Sequence, residues 1–417
     1  MGSTPLDIAI IGCGSGGPAA ATLLARAGHN VQIFEKVQAH KTVGAGVLIQ
    51  PTGMEALSRL GILESLCQHG ARIEQLYGET TSGRVLMDLH YPALHPSLFG
   101  LGLHRAALLH YLLEEMKTTS TTLHYNKEIT RLQKTSQQSC TLHTQEGEEY
   151  GPFQLVVLAD GVRSTLRKSL PIPQKVKAYQ WGALFFMAPD PKKDFGHTLH
   201  QTVEGTQYMM GSLPTGNTHE SAEPLVSFFW SMRNDRVDEW RKQDLQRWKE
   251  KVCRMAPRVE PLLEHLESHE QMAFAKYHEV RMKRWHHENI VVIGDAAHAM
   301  SPQLGQGANM ALYDAMILAE CVNGKEDLSS ALRDYTAQRK AHLNYYQFAC
   351  RYVTPFFQSD SAFLGWFRDT FFPYTSRVWP IHGQMLRTMA GFKRGLVRRS
   401  FPIPPKHLLK GKTQERG

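Results

Sequence analysis

The chain has 417 residues, of which 42% are hydrophobic and 21% charged, a composition typical of a globular protein with a large core. The formal net charge of +8 favours anionic ligands, phosphates or an anionic membrane surface. Nucleic acid is not expected as a partner, because the basic residues are scattered until the last thirty positions. The six cysteines contain no C-x-x-C pair, which indicates reduced thiols rather than disulfides or a zinc site.

The N-terminal segment is apolar but does not resemble a signal peptide, because Asp7 interrupts it early and glycines occupy its middle. No run of residues is long and apolar enough to predict a transmembrane helix. We therefore expect a cytoplasmic protein that contains no metal site.

The first predicted elements are a buried strand over residues 8–11, a helix over residues 18–27 and a second strand over residues 31–35. This order is typical of a right-handed strand–helix–strand unit. The elements predicted next are a loop over residues 44–52, a short helix over residues 53–61 and an amphipathic helix over residues 101–116.

Residues 154–159 and 290–293 are again predicted to be buried strands, and residues 308–320 a helix. Between them, residues 176–274 alternate in polarity and are interrupted by Pro, Gly and Asn, which indicates an antiparallel sheet. The predicted fold is α/β, with a discontinuous Rossmann-like nucleotide-binding domain, an inserted antiparallel β-sheet substrate domain and C-terminal helices. The expected boundaries are residues 1–72, 96–175 and 276–330 for the first domain, 73–95 and 176–275 for the second, and 331–417 for the helical region and basic tail.

A glycine-rich turn joins the first predicted strand to the first helix. Gly12, Gly14 and Gly17 form G-x-G-x-x-G. The first glycine permits the tight turn, the second lets a pyrophosphate approach the backbone, and the third lets the helix pack on the strand. Glu35 ends the second strand eighteen residues later, where it can bind a ribose. The pattern predicts FAD or NAD, since an acid at this place disfavours the 2′-phosphate of NADP.

Two further segments distinguish these cofactors. Residues 158–168, LADGVRSTLRK, contain D-G-x-x-S-x-x-R, and residues 294–315 read GDAAHAMSPQLGQGANMALYDA. Together with the glycine motif, and in the same order, they resemble the three motifs of the class A flavoprotein aromatic hydroxylases. That family includes the p-hydroxybenzoate, salicylate, 3-hydroxybenzoate and ubiquinone-pathway hydroxylases. The resemblance extends from residue 6 to about residue 320 and implies that FAD is the resident cofactor.

The resemblance also implies roles for individual residues. Asp295 would bind the ribityl chain, unless it is only a helix N-cap, and Pro302 would lie against the flavin. Negative charge on the reduced flavin would be stabilised by backbone amides at a helix N-terminus, namely those of Gly305, Gly307, Ala308 and Asn309. The other expected FAD-binding residues are Gly46 and Val47 at the flavin edge, Arg105 at the pyrophosphate, and Asp160. His298 is expected to pack or hydrogen-bond near the cofactor.

The implied activity is NAD(P)H-dependent monooxygenation. NADPH or NADH would reduce FAD, and O2 would then form a flavin C4a-hydroperoxide that hydroxylates an aromatic or similarly electron-rich small molecule. No catalytic side chain is assigned. The substrate is expected between the flavin and the antiparallel sheet. Each candidate residue in this place could instead serve only to pack the sheet. The candidates are Gln50, His200, Gln201, Tyr208, Met210 and Trp230.

Two other functions are compatible with the sequence. One is another FAD enzyme of the same fold, such as a reductase or a halogenase, although the Trp-x-Trp-x-Ile-Pro motif of the halogenases is absent from the sequence. The other is a noncatalytic FAD-binding regulator or scaffold. The aromatic residues 354–380 and the basic tail after them predict either peripheral membrane contact, or a helix that covers a lipophilic substrate or forms a homodimer contact.

Overall fold

The computed structural model of the chain describes residues 4–38, 45–136, 138–218, 220–375, 378–396 and 400–402. Arg398, Arg399, Lys406 and Lys410 of the predicted basic tail lie outside the described residues. Within the described residues the strands are β1 (Asp7–Ile11), β2 (Asn30–Phe34), β3 (Gly46–Ile49), β4 (Ala71–Ile73), β5 (Gln75–Thr80), β6 (Val85–His90), β7 (Gly100–His104), β8 (Thr122–His124), β9 (Ile129–Ser136), β10 (Ser139–Thr144), β11 (Glu149–Phe153), β12 (Leu155–Leu158), β13 (Gln174–Pro189), β14 (Thr198–Glu204), β15 (Tyr208–Gly216), β16 (Leu225–Arg233), β17 (Ala273–Met282), β18 (His286–His287) and β19 (Ile290–Val292). The α-helices are α1 (Gly16–Arg26), α2 (Pro51–Leu60), α3 (Leu63–His69), α4 (Arg105–Lys117), α5 (Leu166–Ser169), α6 (Val237–Trp240), α7 (Leu245–Met255), α8 (Glu260–Glu264), α9 (Asp295–His298), α10 (Gly307–Asn323), α11 (Leu328–Val353), α12 (Ala362–Thr375) and α13 (Trp379–Met389).

The nucleotide-binding part is built on a six-stranded sheet with the order β18–β19–β12–β1–β2–β8. Its central strand β1 is parallel to both neighbours, β2 and β12. Ile8, Ala9 and Ile10 are completely buried, as expected for a parallel sheet that is covered on both faces. Because parallel strands end at the same edge of a sheet, the turns that follow β1, β2 and β12 lie side by side.

A seven-stranded sheet with the order β17–β13–β16–β15–β14–β5–β6 forms the second large layer. Its neighbours pair antiparallel, except β14 and β5, which pair parallel. One face of this sheet, the outer face, packs on the segment α6–α8 and forms a hydrophobic core of its own around Trp240 and Trp248. The opposite face, the inner face, points towards the rest of the molecule.

Two three-stranded sheets, β3–β7–β4 and β11–β10–β9, complete the sheet structure of the described residues. The first lies between the two large sheets. Gly102 of β7 is so close to β15 that a methyl group there would overlap the carbonyl oxygen of Pro214. Glycine at this position therefore lets the two layers approach each other and positions β3 against the inner face of the seven-stranded sheet.

The predicted fold class is confirmed, but three predicted segments are wrong. Residues 237–264, predicted as part of the antiparallel sheet, contain the helices α6–α8 that cover its outer face. Residues 101–104, predicted as the start of a helix, belong to β7 because they pair with β3 and β4. Residues 46–49, predicted as a loop, form β3 for the same reason. Among the described helices, none has the length and apolar character needed to cross a bilayer.

Candidate functional site

The glycine-rich turn after β1 uses its three glycines in two different ways. Gly12 has a φ of +103°, and a methyl group there would lie 2.5 Å from the carbonyl oxygen of Ala159. A methyl group on Gly17 would overlap the carbonyl oxygen of Gly12. A methyl group on Gly14, in contrast, would meet no protein atom within 4 Å. Two glycines are therefore required by packing within the protein, whereas Gly14 leaves open space over the backbone at the N-terminus of α1.

Glu35 lies directly beside this turn, one residue after β2. Its Oε2 accepts a hydrogen bond from the N–H of Cys13 at 2.9 Å, and its Oε1 accepts one from the N–H of Val37 at 3.1 Å. These two amides fix the carboxylate at the edge of the sheet. Both oxygens keep further lone pairs for a ligand hydroxyl.

Asp295 is the first residue of α9 and not its N-cap, which is Gly294. The side chain is exposed, although the three residues that follow it are buried. A methyl group on Gly307 would lie 3.8 Å from Asp295 Oδ1, so the carboxylate stands beside the N-terminus of α10. The alternative role of Asp295 as a helix cap is therefore not supported by this geometry.

The N-terminus of α10 has no side-chain cap. Gln306 precedes the helix, but its Nε2 donates a hydrogen bond to the carbonyl oxygen of Met389 at 2.8 Å. The N–H groups of the first turn have no acceptor within the helix, so they carry the positive end of its dipole. The turn before them is accessible, since Pro302 and Gly305 are both exposed.

The N-termini of α1 and α10 are neighbours. A methyl group on Gly16 would lie 3.4 Å from the carbonyl oxygen of Ala311, which belongs to the second turn of α10. The N-cap of α1, Ser15, also makes no side-chain capping hydrogen bond. Two uncapped helix ends thus lie within reach of one elongated anionic ligand.

Asn309 holds the α10 turn in place through its side chain, a role that the sequence did not indicate. Its Oδ1 accepts a hydrogen bond from the N–H of Gln50 at 2.8 Å. Its Nδ2 donates to the carbonyl oxygens of Leu48 at 3.1 Å and Gly305 at 2.9 Å. The buried amide therefore connects the end of β3 to the exposed turn.

Gly46, Val47 and Arg105 border the same region. The N–H of Gly46 donates to Ser227 Oγ at 2.9 Å, and a methyl group there would lie 2.6 Å from Ser227 Cβ, so β3 abuts the inner face at β16. Val47, the next residue of β3, is half-buried. Arg105 is exposed at the start of α4. Burial raises the pKa of Tyr277 on β17, and the positive charge of Arg105 opposes this effect.

Asp160 follows β12 at the same edge as Gly12. Its Oδ1 is buried and has no hydrogen-bond partner among the described residues. Burial raises the pKa of this carboxyl to about 6, although a hydrogen bond with Ser164 and the charge of Arg167 act in the opposite direction. The buried Arg167 donates to the carbonyl oxygen of Ala296 at 2.7 Å and thus joins the second motif to the third.

A buried network supports the turn before Asp295. Asp314 accepts hydrogen bonds from the N–H of Gly294 at 2.8 Å and from His298 Nε2 at 2.5 Å. On the other side of this carboxylate stands Arg339, whose Nη1 contacts His342 Nδ1 at 2.5 Å. His298 therefore has a structural partner, in agreement with its expected role. Arg339 and His342 were missed because they lie on α11, outside any recognisable motif.

Among the predicted substrate residues, Gln50 lies next to these elements, since its N–H binds Asn309. It is completely buried, and its Oε1 accepts a hydrogen bond from the hydroxyl of Tyr91 at 2.5 Å. Its Nε2 is buried without a hydrogen-bond partner among the described residues. This unpartnered donor lies one residue after β3.

Three more of the six predicted substrate residues lie on the outer face: Tyr208, Met210 and Trp230. Met210 pairs with Trp230 in register, and both are buried in the core formed with α6–α8. The Tyr208 ring lies 5.7 Å from Trp230, and Lys251 Nζ lies 3.9 Å from the centre of the same ring. These side chains fill the core under the helices and do not reach the region of Gly46. The remaining two predicted residues are on opposite faces. His200 pairs with Ser212 and lies on the outer face, whereas Gln201 lies on the inner face with Phe229.

Comparisons of the sequence and the fold with known proteins find similarity to FAD-binding proteins. The family described as "FAD binding domain" matches residues 5–346. The putative FAD-dependent monooxygenase YetM of Bacillus subtilis is 28% identical over 339 residues, which are 79% of this chain and 88% of that protein. The 6-hydroxynicotinate 3-monooxygenase of Bordetella bronchiseptica is 27% identical over 355 residues, 80% of this chain and 87% of that protein. The structure of Klebsiella pneumoniae HpxO complexed with FAD and uric acid has a TM-score of 0.77 at 20% identity, covers 92% of this chain and 97% of that chain, and shows the same fold.

Proposed function

Because the chain belongs to the class A flavoprotein hydroxylase family of FAD-dependent monooxygenases, we propose that it hydroxylates an aromatic or similarly electron-rich small molecule, with NADPH or NADH as the reductant. The family establishes the FAD cofactor and the class of oxidoreductase. Our proposal adds three points to this: the reductant, the route of oxygen transfer and the chemical class of the substrate.

One observation carries the proposal: the N-termini of α1 and α10 are neighbours and uncapped, with open backbone at Gly14 beside the first and the exposed carboxylate of Asp295 beside the second. This arrangement fits FAD, whose pyrophosphate needs amide donors and whose ribityl hydroxyls need an acceptor. The unpartnered Oδ1 of Asp160 and Nε2 of Gln50 also suit a polar ligand, because buried polar atoms are normally hydrogen-bonded.

The proposed roles of the residues follow from these positions. Glu35 would bind the adenosine ribose, Arg105 the pyrophosphate and Asp295 the ribityl chain. The amides of Gly307, Ala308 and Asn309 would face the pyrimidine edge of the flavin together with Gly46 and Val47, and Gly305 and Pro302 would border the ring. Bound FAD would supply the redox chemistry, which is acceptance of a hydride from the nicotinamide and activation of O2 for transfer of one oxygen atom to the substrate.

The chain itself would stabilise and shield this chemistry. The N-terminal end of α10 offers positive potential where negative charge develops on the reduced ring system. The backbone amides there are held by Asn309 and therefore need no rearrangement during turnover. Exclusion of water from the reacting centre is the task of the surrounding apolar surface.

We propose that the substrate lies between the flavin edge and the inner face of the seven-stranded sheet, in the domain formed by residues 73–95 and 176–275. Phe229 belongs to this face, two residues from Ser227, which contacts Gly46. It packs with Val203 and Met209, and the C-terminal residues Phe357 and Phe372 cover the same cluster. An apolar face of this kind supports an aromatic or lipophilic substrate.

The test is substrate-stimulated turnover of the purified holoprotein. We expect a yellow protein with bound FAD, and oxidation of NADPH or NADH that accelerates when a phenolic or N-heteroaromatic substrate is added. Hydroxylated product must account for the nicotinamide consumed, since unproductive oxidation yields hydrogen peroxide instead. FAD that neither nicotinamide reduces would contradict the proposal and favour a noncatalytic role. Reduction without O2 consumption would instead identify a reductase, and halide-dependent product formation a halogenase.

A further inference from the structure

Helix α12 is inverted relative to an ordinary surface helix, because its buried side holds a charge and its outer side holds aromatic rings. Arg368 is completely buried and donates through Nη1 to the carbonyl oxygens of Gly205 and Phe356, both at 2.8 Å. Phe372 packs on the cluster around Met209 from the same side. The helix is thus firmly attached to the seven-stranded sheet, and its outward surface has a defined orientation.

That outward surface consists of four aromatic side chains, here called the aromatic face: Phe363, Trp366, Phe371 and Tyr374. Their exposed fractions are 64%, 58%, 44% and 66%. The spacing of three, eight and eleven residues from the first to the others places them on one side of a helix. Trp366 contacts Phe363 with ring centres 5.8 Å apart and Phe371 at 6.2 Å. Contiguous apolar surface of this kind marks an interaction site.

The same part of the chain concentrates exposed apolar residues in general. Of the twelve large hydrophobic residues that are exposed among the described ones, nine lie at or after Phe348. The exposed Val378 and Ile381 extend the apolar surface beyond α12 along the chain.

Charge is also concentrated in this part of the sequence. Residues 348–417 contain twelve Lys or Arg residues but three Asp or Glu residues, a net charge of +9, whereas the whole chain carries +8. The preceding 347 residues therefore have a net charge of −1. Since the entire positive excess lies in the part of the sequence that also contains the aromatic face, the partner that fits both features is an anionic apolar surface.

We propose that the aromatic face of α12 docks on an anionic lipid surface, to which the net positive charge of residues 348–417 attracts the chain. Aromatic side chains are favoured at the boundary between headgroups and acyl chains. The fourteen residues of α12 are too few to span a bilayer, so the helix would lie in the plane of the interface. A second copy of the chain fits less well, because it would bring two regions of charge +9 together.

The test uses the FAD-loaded full-length chain and sedimentation with vesicles. We expect binding to mixed phosphatidylcholine–phosphatidylglycerol vesicles, weaker binding to phosphatidylcholine alone, and loss of binding as salt concentration rises. The double variant Phe363→Ser/Trp366→Ser should reduce partitioning onto the mixed vesicles about tenfold or more. Val176→Ser is the matched control, since Val176 is 43% exposed on β13, and it should bind like the parent.

FAD content and melting temperature identify a variant that has failed to fold. In that case Tyr374→Ser, a single change at the most exposed member of the aromatic face, should still weaken vesicle binding. Equal binding of the parent and the folded variants would overturn the proposal, and so would a parent that does not bind anionic vesicles. A dimer that forms without lipid and dissociates in the double variant would assign the face to a second copy and equally overturn it. None of these measurements involves turnover, so their failure leaves the proposed monooxygenase activity untouched.

Discussion

Asp314 and Arg339 form a salt bridge with Oδ1 and Nε 2.7 Å apart, and both side chains are almost completely buried. Burial raises the pKa of Asp314, but the charges of His298 and Arg339 outweigh this effect and hold it below its ordinary value. The same carboxylate binds the N–H of Gly294, directly before Asp295. The long helix α11 therefore determines the conformation of a turn that belongs to the candidate FAD site.

Replacing Asp314 by Asn should destabilise the protein by about 3–5 kcal/mol, because Arg339 would be left as a buried, unpaired charge. FAD affinity should fall as well, since the turn at Gly294 loses its anchor. Denaturant unfolding and FAD titration measure the two effects. The control is Asp334→Asn on α11, the helix of Arg339, because the exposed pair of Asp334 with Lys325 contributes at most about 1 kcal/mol. Similar losses in the two variants would contradict the argument.

Replacing glycine by alanine should have different effects at two positions of the glycine motif. Gly14→Ala should fold with normal stability, because the methyl group meets no protein atom, but it should weaken FAD binding by more than about tenfold by blocking the close approach of the pyrophosphate. Gly17→Ala should fail to fold or be strongly destabilised, since the methyl group would overlap the carbonyl oxygen of Gly12. Thermal unfolding with and without FAD separates the two effects, and parent-like FAD affinity in Gly14→Ala would rule out this binding mode.

Asp295→Ala should lower FAD affinity about 10- to 100-fold, the usual effect of losing hydrogen bonds to a charged group. Its exposed side chain makes little contribution to folding, so the free energy of unfolding of the apoprotein should stay within about 0.5 kcal/mol of the parent. Quenching of flavin fluorescence gives the dissociation constant. Asp238→Ala, at an exposed carboxylate on α6, is the matched control. A variant that retains FAD as tightly as the parent would disprove the ribityl role.

The raised pKa of Asp160 should make the stability of the apoprotein depend on pH. Its pKa is about 6 in the folded state and 3.8 ordinarily, so the folded protein loses stability as the pH rises through this interval and the buried carboxyl gives up its proton. Asp160→Asn should therefore be more stable than the parent above pH 6, by roughly 1–3 kcal/mol. The gain should vanish below about pH 4. Thermal unfolding from pH 4 to 8 checks this, and a difference that does not vary with pH would refute it.

The two faces of the seven-stranded sheet should respond differently to mutation. Phe229→Ala, on the inner face, should change KM and increase the hydrogen peroxide released per nicotinamide oxidised, because the apolar wall beside the flavin would be opened. Trp230→Phe, one residue further along, should destabilise the core under α6–α8 by about 1–3 kcal/mol and leave KM unchanged. Steady-state kinetics with product and peroxide measurement tests both, and the reverse pattern would move the substrate to the outer face.

The sequence was informative wherever the structure depends on residues that are close to each other along the chain. The G-x-G-x-x-G turn and the start of α10 follow from glycines at short spacing in a strand–turn–helix context, and the fold class follows from the order of the elements. Alternation along β15 and β16 predicts which residues share a face, but it cannot indicate which face is covered by helices. Tyr208, Met210 and Trp230 were therefore expected at the substrate and instead lie in the outer core.

Contacts between distant segments were beyond such patterns. Arg339 reaches Asp314 from another helix, and His342 Nε2 binds the carbonyl oxygen of Gly391 at 2.8 Å. Burial lowers the pKa of His342 well below its ordinary value, so this residue acts as a neutral bridge. Arg339 and His342 belong to no motif, and each lies far in sequence from the residue that it contacts. The packing of α11 against α10 brings Arg339 to Asp314.

The uncapped ends of α1 and α10 have a consequence beyond binding itself. In the apoprotein, the backbone amides at these two neighbouring helix ends have no side-chain cap. The flavin nucleotide can supply acceptors for them in the native chain alone, because the unfolded chain has no such arrangement. A molecule that binds only the native state shifts the folding equilibrium by mass action. We therefore expect a shortage of FAD to lower the amount of folded protein as well as its activity.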